Sequence, residues 1–176
     1  MHLMSAKRSR LVIIDFQARL MPAIHDGPRL VANAAKLVAA AKLLEVPIVM
    51  TEQNPAGLGP TVPELTEAAP AIAKMTFDSC GASDFIDAIV GDDDLILCGC
   101  EAHVCVGQTA LSLLENRRRV FVVQDAVGSR APESKEVALR RLERRGAEIV
   151  TTEMVVFEWL RTAEHPQFRA AAKLIK

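Results

Sequence analysis

Residues 94–118, DLILCGCEAHVCVGQTALSLLENRR, decide how the fold is read. Leu95–Gly99 is apolar at consecutive positions, the pattern of a strand buried on both faces. Val106, Ala110, Leu113 and Leu114 then recur at helical spacing across His103–Arg118. A buried strand that passes through a short turn into an amphipathic helix is one half of a βαβ unit.

The same alternation continues outward. Toward the N-terminus, Leu11–Asp15 (LVIID) is a β-branched run ending in an acid. Asp26-Gly27-Pro28 marks a helix start, with Asp26 as N-cap and Pro28 in the first turn. Leu30, Ala34, Leu37, Val38, Ala41 and Leu44 follow at helical spacing. Pro47–Met50 reads as a strand and Ser83–Val90 as a helix. Residues 52–73 hold four prolines and two glycines and read as one long loop. Toward the C-terminus, Val120–Gln124 and Glu148–Val150 read as strands, and Pro132–Arg145 as a helix stopped by Gly146. Residues 153–161 and 167–175 read as helices, with Val155, Val156, Phe157 and Trp159 mostly in the core. This is an α/β pattern with a mostly parallel sheet and helices on both faces. In such folds sites gather at the C-terminal strand ends, here Asp15, Thr51, Gly99–Glu101 and Asp125.

Composition narrows the class. The 176 residues, half of them hydrophobic, suit a single domain over 1–176 with one substantial core. The net charge of −1 argues against a nucleic-acid coat protein. No apolar run reaches the ~18 residues of a membrane span, and Met1–Arg10 has no signal-peptide pattern. A cytoplasmic protein without nucleic-acid or membrane partners is the expectation. Cys98, Cys100 and Cys105 crowd together and Cys80 stands apart, which is poor spacing for disulfides. Cys98, Cys100, His103 and Cys105 superficially resemble zinc spacing, but a strand running into a helix is not a zinc knuckle. No metal and no cofactor are expected.

Three residues carry possible chemistry. Asp15 ends a buried strand. Cys105 falls in the first turn of a helix, where free N–H groups and the helix dipole lower a thiol pKa and can receive an oxyanion. Its bland alternative is a packed thiol. Lys74 lies in AIAKMTFDSC, an apolar setting for a residue that is usually solvated. Together an acid, a cation and a thiol could serve as base, charge stabiliser and nucleophile. Gln17 and Gln53 follow the first two strands and could hydrogen-bond a substrate amide or carbonyl. The arginine clusters at 117–119 and at 140, 141, 144 and 145 read as solvated helix ends.

LVIIDFQ (11–17), TEQNPAGLGPTVPEL (51–65), KMTFDS (74–79) and CGCEAHVCVGQTALSLL (98–114) resemble the isochorismatase-like cysteine hydrolase family, most nearly its isochorismatase-domain-containing branch. All four blocks occur in order over roughly residues 10–160. The resemblance implies a three-layer α/β/α sandwich around a six-stranded sheet and an Asp15–Lys74–Cys105 triad. It also implies a non-proline cis peptide at Cys100–Glu101, with backbone N–H groups of Glu101 or Ala102 and of Cys105 aimed at one oxygen. Nicotinamidase members bind a metal through Asp-x-His in the loop after the second strand. Thr51-Glu52-Gln53-Asn54 stands there instead. The implied activity is hydrolysis of a small molecule, at an amide or related C–N bond, by a homo-oligomer of two or more copies. Alternatives are the vinyl ether of isochorismate and a catalytically silent interaction protein on the same scaffold.

Overall fold

A computed structural model describes residues 3–175; Met1, His2 and Lys176 lie outside the described residues. The strands are β1 (Ser9–Ile14), β2 (Ile48–Gln53), β3 (Ala71–Lys74), β4 (Asp94–Cys100), β5 (Val120–Gly128) and β6 (Glu148–Val150). The helices are α1 (Gly27–Leu43), α2 (Pro55–Leu58), α3 (Ser83–Ala88), α4 (Cys105–Glu115), α5 (Pro132–Arg144), α6 (Thr152–Leu160) and α7 (Phe168–Leu174). The sheet order is β3-β2-β1-β4-β5-β6, and every adjacent pair is parallel. Winding therefore reverses between β1 and β4, the place where open α/β sheets form a crevice at their C-terminal edge.

Consecutive apolar residues in the central strands serve two cores, because strand side chains alternate in direction. Leu11, Ile13, Ile96, Cys98 and Cys100 pack with Leu37, Val155 and Trp159 on the α1, α6 and α7 face. Val12, Ile14, Leu95 and Leu97 pack with Phe85, Leu113 and Leu142 on the α3, α4 and α5 face. All seven residues of β4 are buried. No helix among the described residues is long and apolar enough to cross a membrane.

Several expectations need correction. The stretch 52–73 is not one loop: β2 runs on to Gln53, α2 follows, and Ala71 begins β3, a strand beyond the five expected. That strand pairs with β2 alone, and Ala71 and Ala73 are exposed, so it carries no continuous apolar signal. Lys74 accordingly ends a strand. β5 extends four residues beyond Gln124, to Gly128. The helix expected from His103 begins at Cys105. Asp26 occupies the N-cap position but makes no capping bond with its side chain; it lies 3.6 Å from Arg29. Within α6, Val155, Val156 and Trp159 are buried, whereas Phe157 is exposed.

Candidate active site

β1 ends at Ile14, and Asp15 turns out of the strand in the left-handed region at φ 54°. Aspartate tolerates this conformation better than most residues. The strand beside it, β4, carries Gly99 at φ 140° opposite Ile14. A Cβ at Gly99 would lie 2.1 Å from the Ile14 carbonyl oxygen. Only glycine permits β1 and β4 to approach so closely where their C-terminal ends meet.

The Asp15 carboxylate is buried and fully engaged. Thr51 Oγ1 donates to Oδ1 at 2.7 Å, and Lys74 Nζ donates to Oδ2 at 2.8 Å. Neither Asp15 nor Lys74 exposes any of its side chain. The Lys74 ammonium also donates to Gln53 Oε1 (3.0 Å) and to the carbonyl oxygens of Phe77 (3.2 Å) and Thr76 (3.3 Å). A buried ion pair offsets its desolvation only when such hydrogen bonds surround it. The loop beyond Lys74 is tied to α4, since Ser112 Oγ donates to Asp78 Oδ2 at 2.5 Å and the Ser79 N–H donates to Thr109 Oγ1 at 2.9 Å.

Cys105 opens α4 and is buried, close enough to Asp15 and Lys74 for both charges to act on its thiol. Asp15 and Lys74, distant in sequence, thus meet directly, with Cys105 near both. The net shift of the thiol runs opposite to the lowering expected at a helix N-terminus. Burial, reinforced by the Asp15 charge and opposed by Lys74, pushes Cys105 from 9.0 up to about 12. The resting group is a thiol, so attack needs a base beside it.

The turn before α4 contains a cis Cys100–Glu101 peptide bond. The Ala102 N–H donates to the Gly128 carbonyl at 2.7 Å, so it is not free to hold an oxyanion. The N–H groups of Glu101 and Cys105 have no acceptor among the described residues. The Glu101 carboxylate faces elsewhere and accepts from Arg130 N (2.9 Å) and Nε (3.1 Å).

Gln17 and Gln53 bind each other in place of a free cleft. Gln53 N–H donates to Gln17 Oε1 at 2.8 Å, and Gln17 Nε2 donates to the carbonyl oxygens of Gln53 (3.0 Å) and Gly59 (2.7 Å). Gln53 Nε2 donates to the Met75 carbonyl at 2.8 Å. Every polar atom of both side chains thus has a partner within the protein. Glu52 accepts both the N–H and the hydroxyl of Thr61 at 2.7 Å. Asp125, expected at the site edge, instead accepts from Thr152 at the start of α6. His103 is exposed, with Nδ1 2.9 Å from Ser129 Oγ. Cys98 and Cys100 pack on the face of the sheet opposite Cys105, which separates the three thiols. No cluster of three or more metal-ligating side chains occurs among the described residues.

Sequence reasoning missed how much of the site is support. Thr51 was legible only as a strand-end residue, although its register beside Ile14 places it next to Asp15. The Thr76 and Phe77 carbonyls carry no side-chain signal at all.

Comparison with known proteins bears on the fold and the family. A model of the isochorismatase domain matches residues 9–154. Human isochorismatase domain-containing protein 2 is 41% identical over 170 residues, 96% of this chain and 83% of the relative. A Caenorhabditis elegans structure described as MAR1 ribonuclease superimposes with TM-score 0.95 at 35% identity, covering 99% of this chain and 92% of that one. The Escherichia coli YcaC gene product, described as an octameric hydrolase of unknown specificity, gives TM-score 0.92 at 29% identity over 99% and 90% of the two chains. Pseudomonas aeruginosa YcaC, solved with hexane-2,5-diol and covalent acrylamide, gives 0.88 at 29% over 98% and 95%. A parallel six-stranded sheet in this order, with a family match over most of its length, leaves one assignment: the chain belongs to the isochorismatase family of α/β hydrolases.

Proposed function

We propose that the protein hydrolyses a small molecule at an amide or related C–N bond, with Cys105 as nucleophile. The observation that carries this reading is the buried Asp15–Lys74 ion pair, with the Cys105 thiol near enough for both charges to act on it. Asp15 takes the thiol proton as sulfur attacks the carbonyl carbon, and the Lys74 ammonium stabilises the charge passing between them. The carbonyl oxygen becomes an oxyanion, with the N–H groups of Glu101 and Cys105 as its donors. Collapse breaks the C–N bond, and the amine leaves with the proton held by Asp15. The resulting thioester is attacked by water, whose proton passes to Asp15. The acid departs, and Asp15 returns the proton to sulfur.

Acrylamide joined covalently to the Pseudomonas relative supports a reactive group in this fold. The octameric Escherichia coli relative supports extending a homo-oligomer to this chain. Four free cysteines fit the reducing cytoplasm.

A panel of amides, carbamates, isochorismate and an RNA oligonucleotide tests the reading, using wild type and Cys105→Ala. The RNA arm is included because the nematode relative bears the name ribonuclease. Turnover of a C–N substrate that disappears in Cys105→Ala is expected. Turnover surviving in the alanine variant would overturn the nucleophile. No turnover at all, with acrylamide adding to Cys105 no faster than to the other thiols, would favour the silent scaffold.

A further inference from the structure

We infer that Gln53 is a positioning residue for Lys74, an uncharged anchor that Gln17 and the loop at 54–61 hold in place. The inference rests on the reading of Cys105 as nucleophile. Gln53 and Lys74 are register partners across β2 and β3, so their side chains start side by side. A lysine ammonium has three N–H donors on a flexible stem and no intrinsic direction. Asp15 fixes one of its contacts, and Gln53 Oε1 fixes a second at 3.0 Å.

The amide of Gln53 cannot turn round. Its oxygen faces the ammonium, and its NH₂ group faces the Met75 carbonyl at 2.8 Å. A flipped amide would set donor against donor and acceptor against acceptor. Its backbone is clamped from the other side by Gln17, which bonds to both the N–H and the C=O of Gln53. Gln17 is held in turn by the Gly59 carbonyl and by a bridge with Thr61.

The chemical type matters. A carboxylate at 53 would also accept from Lys74, but it would cancel the positive charge that favours the Cys105 thiolate. It would further set an acceptor against the Met75 carbonyl. An apolar side chain would leave the ammonium without its second side-chain contact. Glutamine supplies an acceptor and a donor without adding charge.

The test measures iodoacetamide alkylation of Cys105 at about pH 9, located by peptide mass mapping, in Gln53→Glu and Gln53→Met. Well below the thiol pKa the rate follows the thiolate fraction, so one pKa unit reads as about a tenfold change. Gln53→Glu should slow alkylation about tenfold. Gln53→Met, close in size, should slow it several-fold, and Trp159 fluorescence checks that each variant is folded. On any amide that gives Cys105-dependent turnover, kcat should fall with KM unchanged. Alkylation within about twofold of wild type in both folded variants, or a rise confined to KM, would overturn the assignment and return Gln53 to substrate contact. If one variant does not fold, Gln17→Met, which removes the clamp, replaces it with the same expected slowing. Turnover surviving in Cys105→Ala would instead sink the nucleophile reading, so the two failures are distinguishable.

Discussion

Lys74 Nζ lies 2.8 Å from Asp15 Oδ2, with neither side chain exposed to solvent. Two charges so placed are costly to separate, because either one left alone is an unpaired buried ion. Lys74→Met should destabilise the fold by about 3–5 kcal/mol, and Asp15→Asn similarly. The double variant should recover much of that loss, since it leaves no unpaired charge. Urea unfolding followed at the single tryptophan, Trp159, provides the readout. Additive losses in the double variant would show that the two groups do not act as a pair.

Thr51 donates to the remaining Asp15 oxygen at 2.7 Å. Thr51→Val keeps the shape and removes the hydroxyl, leaving a buried carboxylate oxygen without its donor. The expected cost is about 1–3 kcal/mol. Turnover should fall as well, because Asp15, the proposed base, loses one of the two contacts that orient it. Denaturant midpoint and kcat check both, and an unchanged midpoint would contradict the buried-acceptor argument.

Burial makes the thiol chemistry alkaline. With Cys105 pushed up to about 12, its alkylation should rise about tenfold per pH unit from about pH 7 to about pH 10, without a plateau. Stability should move the other way. Cys98 is likewise raised from 9.0 to about 12 by burial. The unfolded chain loses thiol protons from about pH 9 while the folded chain keeps them, so unfolding is favoured as pH climbs through that window. Thermal scans from pH 8 to about 11 should show Tm falling steadily, and a level Tm would contradict the burial of these thiols.

Gly99→Ala should be the most damaging conservative change near the site. A Cβ there meets the Ile14 carbonyl at 2.1 Å, and φ 140° is strained for any side chain. Backbone must move, at a cost of more than about 3 kcal/mol. Loss of soluble folded protein, or a large drop in midpoint, is expected. Near wild-type stability would mean that β1 and β4 can part without penalty.

Most of the fold was legible because β1, β4 and β5 are buried on both faces and announce themselves as apolar runs. β3 was not, since an edge strand paired on one side shows only alternating exposure in a Pro-rich setting. Asp15, Lys74 and Cys105 were each nameable from residue type and strand context, and the family resemblance joined them. The bonds of the two glutamines were not legible, for a physical reason. A polar side chain after a strand looks the same in sequence whether it faces a substrate or bonds to backbone across the loop.

Residue order alone set the kind of protein: an alternating α/β chain, with an acid, a lysine and a thiol placed at element ends. Those properties follow from local periodicity and residue chemistry, which need no knowledge of neighbours. Folding alone settled which side chains touch, that Ala102 gives its N–H to Gly128, that Gln53 faces Lys74, and that burial pushes the Cys105 thiol up. Each depends on strand register and on the solvent removed by residues distant in the chain, and neither quantity is encoded at a single position.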